Sequence, residues 1–200
     1  MTEAQTQGGL LDGVVPGSGA LRKAILVVAG SAIVALTAQI AIPLPFTAVP
    51  ITGQTFGVLL VGALLGSRAG AVALVLYLVE GAVGLPVFAP FGAPGATRFL
   101  GPTAGYLVAY PLAAWVMGWA VERGWHQPRH GRGVQLVASL LLAETIVFSL
   151  GCAWLALWSH RGVAEAIYLG LYPFLPGELV KMVILAGALR VAGRGVNRRT

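Results

Sequence analysis

A carboxylate and an ammonium group lie three positions apart near the C-terminus, within the apolar segment Leu175-Pro176-Gly177-Glu178-Leu179-Val180-Lys181. Residues at this spacing share one face of a helix, so Glu178 and Lys181 can point the same way. A charge at the centre of a membrane helix costs about 2.5–3.5 kcal/mol on insertion scales, and such groups usually face a partner, a cavity or a ligand. A neutral ligand with adjacent N–H donors and a carbonyl acceptor would suit this pair. The alternative is a structural ion pair in the first turn of a helix.

Other polar side chains also interrupt apolar segments. Gln54 and Thr55 offer uncharged hydrogen-bonding groups near the start of a predicted helix, and we expect them to line a pocket. Glu80 and Glu144 have no basic partner at helical spacing. Each is a proton-relay group, a protonated packing residue or a residue near an interface, and spacing alone does not separate these alternatives.

The sequence lacks the common signatures of catalysis and metal binding. It contains no Gly-x-x-x-x-Gly-Lys-Ser/Thr, Gly-x-Ser-x-Gly or His-Glu-x-x-His pattern. His126 and His130 are four residues apart, but Pro128 between them disfavours the regular helix that would bring them together on one metal. The single cysteine, Cys152, lies among apolar residues and is typical of a packed thiol. We therefore expect no enzymatic activity, no metal site and no cofactor.

The composition is that of an integral membrane protein. Hydrophobic residues make up 57% of the 200 residues and charged residues 10%, against about 25% charged in an ordinary soluble domain. Apolar runs bounded by Pro, Gly and charge predict an all-α fold with six membrane helices, at 23–42, 50–66, 68–84, 102–121, 134–158 and 174–192. The predicted domains are a disordered cytoplasmic tail at 1–21, a six-helix membrane domain at 22–193 and a basic cytoplasmic tail at 194–200.

Basic residues are distributed unevenly about these helices. The side that carries both termini would hold Arg22, Lys23, Arg68, Arg123, Arg129, Arg132, Arg190, Arg194, Arg198 and Arg199. The opposite side would hold only Arg98 and Arg161. Because cytoplasmic loops carry the excess of Lys and Arg, both termini are predicted to be cytoplasmic. Topology and anionic lipid then explain the formal net charge of +6, without nucleic acid.

The loops predicted on the outer side, 43–53, 84–101 and 159–173, are rich in Pro, Gly and aromatic residues. Proline lowers the entropy lost on ordering, so these loops can form a shaped lid over a cavity. Tight turns that only connect short helices are the alternative.

The first predicted helix concentrates small residues, among them Ser31, Ala35 and Ala38. Small residues let helix backbones approach closely. Their spacing leaves open whether this stripe is buried within the bundle or docks another protein.

Motifs along nearly the whole chain after residue 22 resemble the BioY family, the biotin-specific S components of energy-coupling-factor (ECF) vitamin transporters. These motifs are Pro50-Ile51-Thr52-Gly53-Gln54-Thr55, Leu65-Gly66-Ser67-Arg68-Ala69-Gly70, Tyr77, Gly81, Gly84-Leu85-Pro86-Val87-Phe88-Ala89, Gly101-Pro102-Thr103-Ala104-Gly105-Tyr106-Leu107, Gly151, Trp154-Leu155 and Pro173-Phe174-Leu175-Pro176-Gly177-Glu178-Leu179-Val180-Lys181.

The resemblance implies a six-helix S-component fold that holds biotin near the outer face, beneath the loops after helices one, three and five. In that family an acidic residue and a lysine on the last helix hold the ureido ring, which carries over onto Glu178 and Lys181. The ureido group has two N–H donors for a carboxylate and one carbonyl acceptor for an ammonium. This chain has Glu178 where the family usually has aspartate. The substrate site predicted on all these grounds comprises Glu178, Lys181, Gln54, Thr55, Phe46, Phe88, Thr103 and Tyr106.

The resemblance also implies partners, a membrane coupling protein and two cytoplasmic ATPases, and ATP would be used only by those ATPases. It places the docking surface on the first helix, at Ser31, Ala35 and Ala38. The alternatives are an S component for a different small vitamin, or a solitary biotin transporter without its own energising module. A membrane-embedded enzyme that uses Glu80 or Glu144, and a purely structural membrane subunit, are less favoured.

Overall fold

The computed structural model describes residues 10, 19–127, 131–160 and 162–196. The predicted N-terminal tail at 1–21 lies almost wholly outside these residues, as do positions 197–200 of the predicted C-terminal tail. The helices are α1 (Ala20–Ala38), α2 (Gln54–Ala82), α3 (Ala104–Glu122), α4 (Arg132–Ser159), α5 (Val163–Gly170) and α6 (Leu175–Val196). The loops contain strands β1 (Ala41–Ile42) and β2 (Ile51–Thr52) and a 3-10 helix (Gly95–Leu100). By length and apolar composition, α1, α2, α3 and α4 could each cross a membrane.

Helix α2 is folded back on itself at Gly66, where φ is 83° and ψ is 176°. Gln54 and Tyr77 are 23 residues apart, yet the side-chain amide of Gln54 lies 2.6 Å from the Tyr77 hydroxyl. A straight helix would separate them by about 34 Å at 1.5 Å per residue. A Cβ atom at Gly70 would lie 2.9 Å from the Cα atom of Gly62, so the two arms are in backbone contact. The segments predicted at 50–66 and 68–84 are therefore observed as antiparallel arms at 54–65 and 67–82.

The turn between these arms is held by the end of α3. Ser67 begins the second arm, and its backbone N–H donates to the Glu122 carboxylate at 2.7 Å. The Ser67 hydroxyl lies 2.9 and 3.0 Å from the two oxygens of the same carboxylate. A Cβ atom at Gly118 would overlap the Gly66–Ser67 peptide, so only glycine allows this approach. An anion at a helix N-terminus is also stabilised by the helix dipole.

The centre of the bundle is α3, which packs against both α2 and α4. Tyr77, Leu74, Met117, Leu136 and Leu140 are among the largest buried side chains. The core is therefore built where these three helices meet.

Helix α1 ends at Ala38, four residues before the predicted boundary at 42. The reason is local pairing, since Ala41–Ile42 form an antiparallel ladder with Ile51–Thr52. The backbone N–H of Gly53 also donates to the Ile40 carbonyl at 2.9 Å. This small hairpin brings the first predicted lid loop back to the start of α2.

Part of the row of small residues on α1 faces the interior of the bundle. Ser31 and Ala38 are fully buried, and the Ser31 hydroxyl donates to the Glu80 carboxylate on the second arm of α2. The docking surface at Ser31 and Ala38 stays a prediction, and both side chains are buried within the described bundle. Ala35 is only partly buried. The large apolar residues that α1 leaves exposed are Leu21, Ile25, Val28 and Leu36.

The second predicted lid loop, 84–101, is ordered around Arg98. This residue is 6% exposed, although it was predicted to lie in an outer loop. Its guanidinium donates to the carbonyls of Phe91, at 2.6 Å, and Ala89, and it lies 5.6 Å from the centre of the Phe88 ring. The loop is thus a folded element instead of a solvated coil.

The third predicted loop, 159–173, contains helix α5, which its sequence pattern did not indicate. The Tyr106 hydroxyl of α3 donates to the carbonyl of Gly170 at 2.8 Å and anchors the end of α5 to the bundle. Arg161, counted among the outer basic residues, lies outside the described residues.

Candidate ligand-binding site

Glu178 lies in the first turn of α6, and the residue is 5% exposed. One carboxylate oxygen is 2.7 Å from the Lys181 ammonium, as the three-residue spacing predicts. The other accepts a 2.7 Å hydrogen bond from the Thr55 hydroxyl at the start of α2. The acidic side chain is therefore held from two directions, by its own helix and by α2.

Lys181 uses its ammonium group to join α6 to β2 and α2. Besides Glu178, its Nζ donates to the Thr52 carbonyl at 2.6 Å and to the Thr55 hydroxyl at 2.9 Å. An ammonium has three donors, and all three are used here. Thr52 belongs to the quoted motif but was not predicted as a site residue, because a backbone acceptor leaves no mark on the side-chain pattern.

Gln54 is fixed by a small cluster of hydroxyl groups. Its amide nitrogen donates to the Tyr77 hydroxyl, which in turn donates to the Val87 carbonyl at 3.2 Å. Its amide oxygen accepts from the Thr52 hydroxyl at 3.3 Å and from the Tyr110 hydroxyl at 3.5 Å. Tyr77 and Tyr110 were missed as neighbours of the site. The motif pointed to Tyr77, but no sequence signal distinguished Tyr110 from a core tyrosine.

These groups surround a cavity of about 40 Å³ beneath the first loop. Its lining includes the predicted site residues Gln54, Thr55, Thr103, Tyr106 and Glu178. Phe148 and Phe174 complete the apolar wall, and neither was predicted for the site. Known ligand pockets are usually about 300–1,000 Å³, so this cavity is too small in the structure to hold a typical small-molecule ligand.

Phe46 and Phe88, also predicted as wall residues, do not reach this cavity. Phe46 is 57% exposed and lines a separate cavity of about 140 Å³ with Trp158. Phe88 packs edge-on against Tyr77, with ring centroids 5.4 Å apart, and fills the space that a side chain at Gly81 would need. The turn of the first loop directs the Phe46 side chain away from the 40 Å³ cavity. Packing within the second loop keeps the Phe88 side chain out of the same cavity.

A larger cavity of about 770 Å³ lies between α4, α5 and α6. It shares Phe148 and Glu178 with the small cavity, so the Glu178 carboxylate stands at the wall common to both. Its lining is mainly apolar, with contributions from Leu141, Cys152, Ile167, Leu171, Leu175 and Met182. The volume falls within the range typical of small-molecule sites.

The two carboxyl groups left open by the sequence analysis have different surroundings. Glu80 is bonded to Ser31 between α1 and α2, whereas Glu144 lines the larger cavity. Glu144 is 7% exposed, and its Oε2 has no hydrogen-bond partner among the described residues. Glu144 therefore belongs to the same region as Glu178, and Glu80 does not.

The basic loop after α3 holds His126 against α6. The imidazole is 5% exposed, its Nδ1 has no hydrogen-bond partner in the described part of the chain, and burial lowers its pKa from the ordinary value of 6.5. A Cβ atom at Gly193 would lie 2.9 Å from the His126 carbonyl oxygen. His130 lies outside the described residues, within which no three His, Cys, Asp or Glu side chains are grouped as metal ligands.

Comparison with known proteins identifies the family to which this arrangement belongs. The model of the BioY family matches residues 5–198, which is nearly the whole chain. The chain belongs to the BioY family. This confirms the resemblance read from the motifs, and a BioY protein is a transport component, which agrees with the prediction that the chain is not an enzyme.

Curated BioY proteins resemble this chain over most of their length. The biotin transporter BioY of Rhizobium etli is 38% identical over 160 residues, covering 77% of this chain and 83% of the relative. The biotin transporter BioY of Rhodobacter capsulatus is 42% identical over 163 residues, covering 76% and 82%. A crystal structure of the S component for biotin from an ECF-type ABC transporter matches with a TM-score of 0.75 and 25% identity, covering 85% of this chain and 89% of that one. The fold of this BioY chain is therefore that of an ECF S component.

Proposed function

We propose that this chain binds biotin with high affinity and takes it up as the substrate-specific component of an ECF-type transporter. The observation that carries the proposal is the ion pair between the buried Glu178 and the partly buried Lys181, which Thr55 holds in place. Glu178 lines both cavities. A carboxylate there can accept both N–H groups of a ureido ring, and the ammonium can donate to the ring's carbonyl. The names of the BioY relatives and of the matching S component support the same substrate.

The ligand would lie near the outer face, under loops 43–53, 84–101 and 159–173. Gln54, Thr55, Thr103 and Tyr106 line the small cavity there, and the two phenylalanines Phe148 and Phe174 would contact the apolar part of the ligand. Because this cavity holds only about 40 Å³, ligand entry requires α6 or the covering loops to move outward. Lys181 now donates one N–H group to the Thr52 carbonyl and another to the Thr55 hydroxyl. When the ligand binds, one of these two N–H groups would instead donate to the carbonyl of the ligand.

For the membrane arrangement we propose six spans, formed by α1, the two arms of α2, α3, α4 and α6, with both termini in the cytoplasm. The hairpin at Gly66 and the excess of basic residues on one side support this topology. The proposed partners are a membrane coupling protein and two cytoplasmic ATPases, and the chain itself uses no cofactor. Ala35 is the member of the predicted docking stripe that keeps some exposure for such a partner.

Equilibrium binding of labelled biotin to the purified chain in detergent tests the proposal. Glu178→Ala and Lys181→Ala should each weaken binding at least about tenfold, because a lost hydrogen bond to a charged group is worth about 1.5–3 kcal/mol. Glu80→Ala is the matched control, since Glu80 lies between α1 and α2, and it should bind as the wild type does. Unchanged biotin affinity in folded Lys181→Ala would refute the proposed binding site. Absence of biotin binding by the folded wild type would refute biotin as the ligand.

A different small vitamin is the second candidate, and Glu178 is the feature that favours it. Its side chain is one methylene longer than the aspartate usual in the family, which changes the position of the carboxylate. A competition assay, in which other unlabelled vitamins displace labelled biotin, separates the two candidates. A vitamin that displaces the label better than unlabelled biotin does would be identified as the preferred substrate. Uptake by cells that lack any ATPase module would instead indicate a solitary transporter.

A further inference from the structure

The side-chain amide of Gln54 has a donor end and an acceptor end, and Tyr77 determines which way each end points. A carbonyl oxygen can only accept, so the Tyr77 hydroxyl donates its single proton to the Val87 carbonyl at 3.2 Å. The hydroxyl oxygen is then left to accept, and the Gln54 amide nitrogen donates to it at 2.6 Å. The amide oxygen of Gln54 must therefore point away from Tyr77.

The amide oxygen of Gln54 lies among groups that line the 40 Å³ cavity. Its two donors are the hydroxyls of Thr52, at 3.3 Å, and Tyr110, at 3.5 Å, and both residues line that cavity together with Gln54. Hydrogen bonds between a hydroxyl and an oxygen are usually about 2.5–3.0 Å long, so both contacts are weak. A buried carbonyl oxygen with two lone pairs and only long contacts can still accept a shorter hydrogen bond.

Packing holds the Tyr77 ring in place. The residue is fully buried, and its ring lies edge-on to Phe88 with centroids 5.4 Å apart. Phe88 is in turn enclosed by Phe99, whose ring centroid is 5.9 Å away, and by the Arg98 guanidinium, 5.6 Å from the centre of the Phe88 ring. The Tyr77 hydroxyl is therefore a fixed point against which the Gln54 amide is oriented.

We infer that Tyr77 is a positioning residue of the ligand site, which orients the Gln54 amide so that its oxygen accepts a hydrogen bond from an N–H group of the ligand. The inference rests on the proposed function for the identity of that ligand, since the ureido ring of biotin carries two N–H groups. Glu178 on α6 and Gln54 on α2 then offer the ring acceptors from two different helices. A Gln54 amide turned the other way would present an N–H group, which cannot accept from the ring.

A double-mutant cycle of biotin affinity in detergent tests this role. Tyr77→Phe removes the hydroxyl and keeps the ring, and Gln54→Met keeps the length of the side chain and removes the amide. Each change alone should weaken binding about tenfold, and the double variant should bind no more weakly than Gln54→Met. Tyr168→Phe is the control, since Tyr168 is 64% exposed, and it should bind as the wild type does.

Two results of this cycle overturn the inference. One is wild-type affinity in Tyr77→Phe. The other is an equal loss from Tyr77→Phe with and without the Gln54 amide, because Tyr77 would then act on the ligand only through the loop that contains Val87.

Thermal unfolding of the same proteins without ligand tests the orienting hydrogen bond itself. Both single changes remove the same bond, so the double variant should lose less unfolding temperature than the two single losses added together. Strictly additive losses overturn the inference, whatever the ligand proves to be. Coupled losses in a folded wild type that binds no biotin would instead overturn biotin as the substrate and support the orientation of Gln54.

Discussion

The hydroxyl of Thr55 donates to the Glu178 carboxylate at 2.7 Å, although the two residues are 123 positions apart in the sequence. The same hydroxyl accepts from the Lys181 ammonium at 2.9 Å. One side chain of α2 therefore completes the hydrogen bonding of both charged residues of α6. This relationship makes the start of α2 part of the site and gives the first prediction.

Thr55→Val keeps the shape of the side chain and removes its hydroxyl. Glu178 loses a donor and Lys181 an acceptor, and biotin affinity is expected to fall about tenfold or more, since hydrogen bonds to charged groups are worth about 1.5–3 kcal/mol. Binding isotherms of the purified protein provide the measurement. Thr145→Val is the control, because the Thr145 hydroxyl is bonded to the Leu141 carbonyl of its own helix. Equal affinity in both variants would show that the Thr55 contact does not matter for binding.

Glu122→Gln weakens the cap on the second arm of α2. The carboxylate accepts from the backbone and hydroxyl of Ser67, and loss of a helix cap costs about 0.5–2 kcal/mol. We expect a lower temperature of thermal unfolding in detergent, with biotin affinity unchanged in the folded protein. Gln135→Ala, at an exposed position of α4, should leave the unfolding temperature unaltered. A drop of the same size in both variants would contradict the assigned role of the cap.

Gly62→Ala should destabilise the bundle, because the added Cβ would overlap the carbonyl oxygen of Ala114 on α3. Overpacking of this kind costs about 1–3 kcal/mol. Gly187→Ala is the matched change in α6, where the added Cβ meets nothing within 4 Å, and it should be neutral or stabilising by up to about 1 kcal/mol. Thermal unfolding of both variants in one detergent decides the point. Equal unfolding temperatures would argue against the close α2–α3 contact.

His126 should make the stability of the bundle depend on pH at the end where the loop after α3 meets α6. Burial, with a smaller contribution from Arg132, lowers the pKa of His126 in the folded state below its ordinary value of 6.5. The unfolded chain then binds the proton first, so the free energy of unfolding falls as the pH drops below about 6.5 and recovers above it. Thermal unfolding measured across this range should show the loss in the wild type and in the exposed control His160→Asn. His126→Asn should show a shallower loss, and an identical profile would exclude His126 as its source.

Parts of the fold that depend on local sequence were predictable. Gly66-Ser67-Arg68 interrupts an apolar run, which correctly indicated that two helical segments meet there. Helix α5 was missed because its eight residues are too few to register as a span, and they lie in a loop recognised by its Pro and Gly content. The end of α1 was placed too late, because the pairing of Ala41 with Thr52 is a contact between distant residues that hydropathy does not encode.

The site shows the same division. The three-residue spacing was enough to pair Glu178 with Lys181, since helix geometry fixes that distance. The direction in which Phe46 and Phe88 point depends on how two irregular loops fold, which no periodicity reveals. For Glu144 and Glu80 the sequence supplied the residue types, and only the packing of the helices separated a carboxyl group in a cavity from one bonded to Ser31.

The hairpin of α2 also bears on the lipid that surrounds the protein. Its arms, 54–65 and 67–82, are about 18 and 24 Å long at 1.5 Å per residue. The hydrocarbon layer of a typical bilayer is about 30 Å thick. If both arms cross the membrane, the lipids beside them must shorten to match, at a cost of fractions of a kcal/mol for each Å. The length of the lipid acyl chains would then affect this protein through hydrophobic mismatch. Bilayers of short-chain lipids would reduce the mismatch with the two arms, and bilayers of long-chain lipids would increase it.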